Sequence, residues 1–171
     1  MSTPEFSRPV ALARLGAEPH RQEIAADETE RRALAERFDL VALDRLAATV
    51  ELVRQGHDRI LLRATFDARF VQRCVVTLDP VPGTVSERFA LLYGPPEAEA
   101  DAGGSAADDP AFEPLTGDTI DIGEAVAQEF ALCLPPFPRR PDADVETPPA
   151  EPAADTGPFA ALARLVDRTS G

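Results

Sequence analysis

Between Arg59 and Leu78 the chain alternates apolar and polar residues for longer than an ordinary strand requires. Ile60, Leu62, Ala64, Phe66, Ala68, Phe70, Cys74, Val76 and Leu78 hold even positions, with Gln72 the exception. Arg59, Arg63, Thr65, Asp67, Arg69, Arg73 and Thr77 hold odd ones. A period of two predicts a strand with one buried and one wet face. The length predicts a bend or bulge near Asp67 and Ala68. Residues 79–84, DPVPGT, read as a tight turn, because Pro and Gly preset the required angles. Val85, Phe89, Leu91 and Tyr93 then form a return strand, and antiparallel pairing of 70–78 with 84–93 follows. Thr49 to Arg54 reads as the preceding strand, turning through Gln55, Gly56, His57 and Asp58.

Helical periods appear on either side. Phe6 to Leu15 reads as a first strand, with Val10 and Leu12 on one face. Asp27 then caps a helix, and Glu30 stands three residues on, as a capping box requires. Leu34 and Phe38 share a face of that helix, and Leu40, Leu43 and Leu46 continue the apolar spacing as a second short helix. Further on, Asp121 is an N-cap with Glu124 at the third helical position. Ile122, Val126, Phe130 and Cys133 form a stripe, and Pro135-Pro136 stop the helix.

Two stretches lack any such period. Residues 95–113 are acidic and poor in large apolar side chains, so they bury too little surface to offset ordering entropy and read as a disordered insertion. Residues 137–157 form an acidic, Pro-rich linker. Residues 158–167 close the chain as a short amphipathic helix presenting Phe159, Leu162 and Leu165, which either docks on its own domain or is captured by a partner groove. The expected architecture is therefore α+β: a single domain over 5–136, with an antiparallel sheet of about five strands, helices on one face, and two acidic disordered segments.

Charge divides the chain unequally. Residues 1–95 hold 13 Arg against 14 acids, whereas 96–171 hold 4 Arg against 16, a balance of −12. So acidic a segment repels phosphate backbones and attracts basic proteins. Arg59, Arg63, Arg69 and Arg73 form the counterpoint, aligned on the wet side of the long strand where they can meet RNA phosphates or simply be solvated. Phe66 and Phe70 point the other way, so base stacking on that face is not supported.

Little else carries chemistry. Cys74 and Cys133 make no CxxC spacing and read as two buried small hydrophobes in a reducing compartment. His20 and His57 fall in loop or turn contexts. Asp118, Asp121 and Glu124 suggest a metal cluster, but capping already accounts for two of them. No HExxH, no phosphate-cradling Gly loop and no activated Ser appear. Neither a signal peptide nor a run of about 18 apolar residues is present, so the expected location is cytoplasmic, with no membrane partner and no cofactor.

Several blocks nevertheless resemble a known family. FVQRCVVTLDPV (70–81), followed by VSERFALLY (85–93), is similar to the central block of the YceD-like family in its alphaproteobacterial form. GDTIDIGEAVAQEFALCLPPFPR (117–139) resembles its second block, and ERRALAERFDL and GPFAALARL fit as well. The resemblance implies a role in synthesis, processing or stability of 23S rRNA, with no established catalytic centre. It also implies a basic large-subunit ribosomal protein or pre-ribosomal ribonucleoprotein (RNP) as partner; the Arg face offers direct binding of 23S rRNA as one alternative, and the C-terminal helix a protein-adaptor role as another. Some relatives carry a CxxC pair in the central block. Here Val71 stands at its first position and Cys74 alone remains, so no metal role is carried over.

Overall fold

The order of elements follows from where the chain can bury apolar surface. In a computed structural model, residues 4–56, 58–96 and 110–144 are described. The chain divides into one unit over Met1–Pro141 and a second over Asp142–Gly171; the fold below is that of the first. The elements are β1 (Pro9–Ala11), β2 (His20–Ala25), α1 (Glu28–Arg37), β3 (Ala42–Gln55), β4 (Arg59–Arg73), β5 (Pro80–Gly94), β6 (Ala111–Pro114), β7 (Thr119–Asp121) and α2 (Ile122–Leu132). The class is α+β, as expected. One sheet has the order β2-β3-β4-β5-β6, and β1 pairs with β7 in a separate antiparallel ribbon.

The long β4 organises everything. Its register with β3 places Val50 opposite Ala64 and Leu52 opposite Leu62. On its other side Leu62 meets Leu91 and Ala68 meets Val85. Alternation therefore gathers Leu46, Val50, Leu52, Ile60, Leu62, Phe66 and Phe70 on one face, all nearly inaccessible. Both helices cover that face. Phe130 of α2 sits edge-on to Phe66, Phe70 and Phe38 at centroid distances of 6.5, 5.6 and 5.9 Å. Burying such rings contributes roughly 2–3 kcal/mol each, with edge-to-face geometry adding about 1.

The helix ends are where the sequence places them. Asp27 accepts from the Glu30 amide and Glu30 reaches back to the Asp27 amide, completing the capping box. At the far end Asp39 takes φ 51°, while Leu40 donates to Ala35 and Asp39 to Glu36, so the last carbonyls are satisfied. Asp121 caps α2 by accepting from Gly123 and Glu124. The same carboxylate holds the N-terminal segment, accepting from Ser7 Oγ at 2.5 Å and the Arg8 amide at 2.7 Å.

Several expectations change. The second short helix over Leu40, Leu43 and Leu46 is the start of β3. A register shift between Leu43 and Arg45 lets residues three apart, Leu43 and Leu46, both face the core and imitate a helical period. The irregularity thus lies in β3 rather than near Asp67 and Ala68, where pairing is continuous. β4 ends at Arg73, and the tight turn is 74–79 instead of 79–84, so 60–73 pairs with 80–93. The apolar alternation runs on into the turn, where Leu78 takes φ 64° and is 67% exposed.

The first strand is shorter than Phe6–Leu15, since Leu12–Arg14 form a 3-10 turn. His20 lies in a strand, β2, which the sequence did not announce. Cys74 is buried, but Cys133 is the exposed C-cap of α2. At the sheet edge β6 pairs parallel to β5, Leu91 to Ala111, so the sheet is mixed, and a strand occupies the end of the stretch expected to be disordered over 95–113. Residues 97–109 of that stretch, His57 and residues 145–171, which hold most of the expected linker and the whole expected C-terminal helix, lie outside the described residues.

Candidate functional site

Among the described residues no helix lies on the second face of the sheet, and the registers show what it presents. β4 contributes Arg59, Arg63, Thr65, Asp67, Arg69 and Arg73. Arg63 lies between Glu51 of β3 and Ala90 of β5, and beyond Glu51 comes Arg21 of β2. One pair along, Thr65 lies between Thr49 and Arg88, with Glu23 beyond Thr49. The next row is Ala25, Ala47, Asp67 and Ser86. Thr49 and Thr65 thus form a low centre on β3 and β4, with Glu23 and Arg88 flanking them across the sheet and Glu51 and Arg63 rising one row along.

This arrangement makes a concave surface. One hollow of about 590 Å³ is lined by Arg21, Thr49, Glu51, Arg63, Thr65, Arg88 and Ala90. A second of about 460 Å³ shares Thr49 and Thr65 and adds Glu23, Arg45, Asp67 and Ser86, so the two are continuous. In the lower hollow Arg45 is neutralised by a hydrogen-bonded ion pair with Asp67, which raises the Arg45 pKa. In the upper one, among the described residues, Arg21, Arg63, Arg88 and Glu51 form no ion pair. Beyond Arg63 the face turns apolar: Leu61 is 4% exposed although it lies outside the main core cluster.

The four arginines singled out from sequence share a face but not a site. Arg59 and Arg73 stand at opposite ends of β4, about 45 Å apart at ~3.3 Å per residue. Arg59 packs near Gly94, Arg69 pairs in register with Arg45, and Arg73 lies opposite Pro80. Only Arg63 joins the upper hollow. Its companions Arg21 and Arg88 went unnoticed because strand pairing, not sequence proximity, brings them there. Phe159, Leu162 and Leu165 lie outside the described residues.

Elsewhere charge serves the scaffold. Arg37 bridges Glu5 at 2.9 Å and Glu124 at 2.8 Å, which raises the arginine pKa and lowers that of Glu124. Arg8 grips Glu30 with both terminal nitrogens. Asp121 and Glu124, two of the three acids that suggested a cluster, are therefore occupied by these contacts. Among the described residues no group of three or more His, Cys, Asp or Glu is placed to hold a metal ion. Cys74 is enclosed in the 74–79 turn; hydrogen bonds from the Thr77 hydroxyl and amide, and from the Arg140 and Val76 main chain, pull its thiol down to about 6. Among the described residues no helix is long and apolar enough to cross a membrane.

A family model described as "Large ribosomal RNA subunit accumulation protein YceD" matches residues 62–166, from near the start of β4 onward. Comparison with curated proteins and with solved structures gives no significant match.

Proposed function

The chain belongs to the YceD family of large ribosomal RNA subunit accumulation proteins, and from this we propose that it is a non-enzymatic, cytoplasmic ribosome-biogenesis factor that binds the pre-ribosomal large-subunit particle. The family's name gives the role: accumulation of the large-subunit rRNA. The observation that supports binding to an RNP is the segregation of charge within one chain. The open sheet face carries Arg21, Arg45, Arg59, Arg63, Arg69, Arg73 and Arg88 against Glu23, Glu51 and Asp67, while residues 96–171 carry −12.

A particle made of RNA and cationic proteins offers a complement to each. The acidic segments attract a basic large-subunit ribosomal protein and repel bare phosphate, so the chain engages the two components through different regions. Long-range attraction of this kind raises the encounter rate and weakens with salt. The test is co-sedimentation of the tagged full chain with large-subunit precursors, followed by salt titration. Association with precursors that weakens steeply as salt rises supports the reading. Absence of the chain from precursor fractions, or retention insensitive to salt, contradicts it.

A further inference from the structure

We infer that the upper hollow of the open sheet face, where Arg21, Arg63 and Arg88 converge over Thr49 and Thr65, is a binding site for the sugar–phosphate backbone of single-stranded RNA. The inference rests on the RNP reading above and specifies which part of the particle this face touches. Three separate strands deliver the cations. Arg88 lies diagonal to Arg63, because Arg63 pairs with Ala90 and Arg88 with Thr65; such neighbours stand about 7–8 Å apart, and somewhat closer at Cβ. Arg21 approaches from the far side of Glu51. The floor between them is Thr49, Thr65 and Ala90, which leaves the hollow of about 590 Å³ open.

The chemistry selects the occupant. Guanidinium groups form charge-assisted hydrogen bonds to oxyanions, and among the described residues these three spend none of that capacity on carboxylates. An acidic peptide also carries oxyanions, but it must satisfy its own backbone amides and carbonyls as well. The hollow lies on the face of the sheet, where the main chains of β3, β4 and β5 are already paired with one another. A phosphodiester backbone needs donors above all, and Arg and Thr side chains supply them. Phe89 is the one aromatic residue in the lining, and its ring packs edge-on to Phe66 on the core side of the sheet, so no ring is offered for stacking and recognition is of backbone, without base preference. Glu51, between Arg21 and Arg63, is the one opposing charge and limits affinity.

The test is fluorescence anisotropy of the full chain with a labelled oligouridylate. Three phosphate contacts predict a log–log salt slope of about −2, hence about 20-fold weaker binding at 200 than at 50 mM salt. The double variant Arg63→Glu/Arg88→Glu should lose binding at least tenfold. Arg63→Gln/Arg88→Gln, which removes two cations without adding acids and leaves Arg21 in place, should flatten the slope to about −0.7. Glu51→Gln should tighten binding, and Arg32→Glu, on the outer side of α1 in a pair with Glu28, should leave it unchanged. Binding that is absent, indifferent to the Arg63 and Arg88 variants, or matched by an oligoglutamate peptide overturns the inference. Co-sedimentation of the same proteins separates the two readings: a double variant that remains on precursors leaves the RNP function standing while the backbone site falls.

Discussion

Gly123→Ala tests the packing that fixes the N-terminal segment to α2. In a helix this change ordinarily helps, by up to about 1 kcal/mol. Here a Cβ at Gly123 would lie 2.3 Å from the Phe6 carbonyl oxygen and 3.1 Å from the Arg8 amide nitrogen. Both neighbours are backbone, so no side chain can swing aside, and residues 6–8 must retreat by about 1 Å to reach ordinary contact. Retreat weakens the Ser7 and Arg8 hydrogen bonds to Asp121, each about 1.5 kcal/mol because the acceptor is charged. It also disturbs Phe6, which is fully buried, for at least about 1 kcal/mol of overpacking. Net destabilisation of about 3 kcal/mol results, which lowers the urea midpoint of the full chain by about 1.5 M for an m value near 2 kcal/mol/M. Gly117→Ala is the control, since nothing lies within 4 Å of its added methyl. A Gly123→Ala protein as stable as wild type would refute the argument.

Phe130→Ala should cost about 3–5 kcal/mol in the same urea assay, because the ring is the meeting point of Phe38, Phe66 and Phe70. Arg37→Met should cost about 1 kcal/mol at pH 7 by uncoupling Glu5 and Glu124. Glu124 has a lowered pKa in the fold, so this contribution is present above the ordinary carboxylate range and disappears as pH falls through the lowered value. Melting curves of the two proteins should therefore converge in acid. For Cys74 the folded thiol sits at about 6, below its unfolded value, so its contribution is absent below pH 6, grows as pH rises and is complete above the unfolded pKa. In a Cys133→Ser background, the gap in melting temperature between wild type and Cys74→Ala should widen from pH 6 to pH 9. Deleting 97–109, which holds Glu97, Glu99, Asp101, Asp108 and Asp109 without a cation, should strengthen oligouridylate binding a few-fold at low salt, with the difference vanishing at high salt.

The sequence made local features legible and left non-local ones hidden. Capping residues Asp27 and Asp121 announce their helices because an N-cap is a contact between residues three apart. The strict alternation of β4 likewise identifies its buried and wet faces. Where a bulge resets the phase, the same logic fails, and the beginning of β3 reads as a helix. β2 escaped notice because, as an edge strand, it buries only Ile24. The parallel partner β6 follows a low-complexity stretch and is too short for a period to show. The arginine face was visible on β4 alone. Its concave part depends on the registers that set Arg21 and Arg88 beside Arg63, and on the small residues between them, and a linear pattern contains neither.

Removal of the gene, followed by sizing of rRNA precursors and separation of ribosomal subunits, tests the central claim most directly. The account predicts less mature 23S rRNA and fewer 50S subunits, with 16S rRNA spared and wild-type levels restored by the full chain. Normal 23S rRNA and a normal subunit profile in the absence of the protein would contradict it.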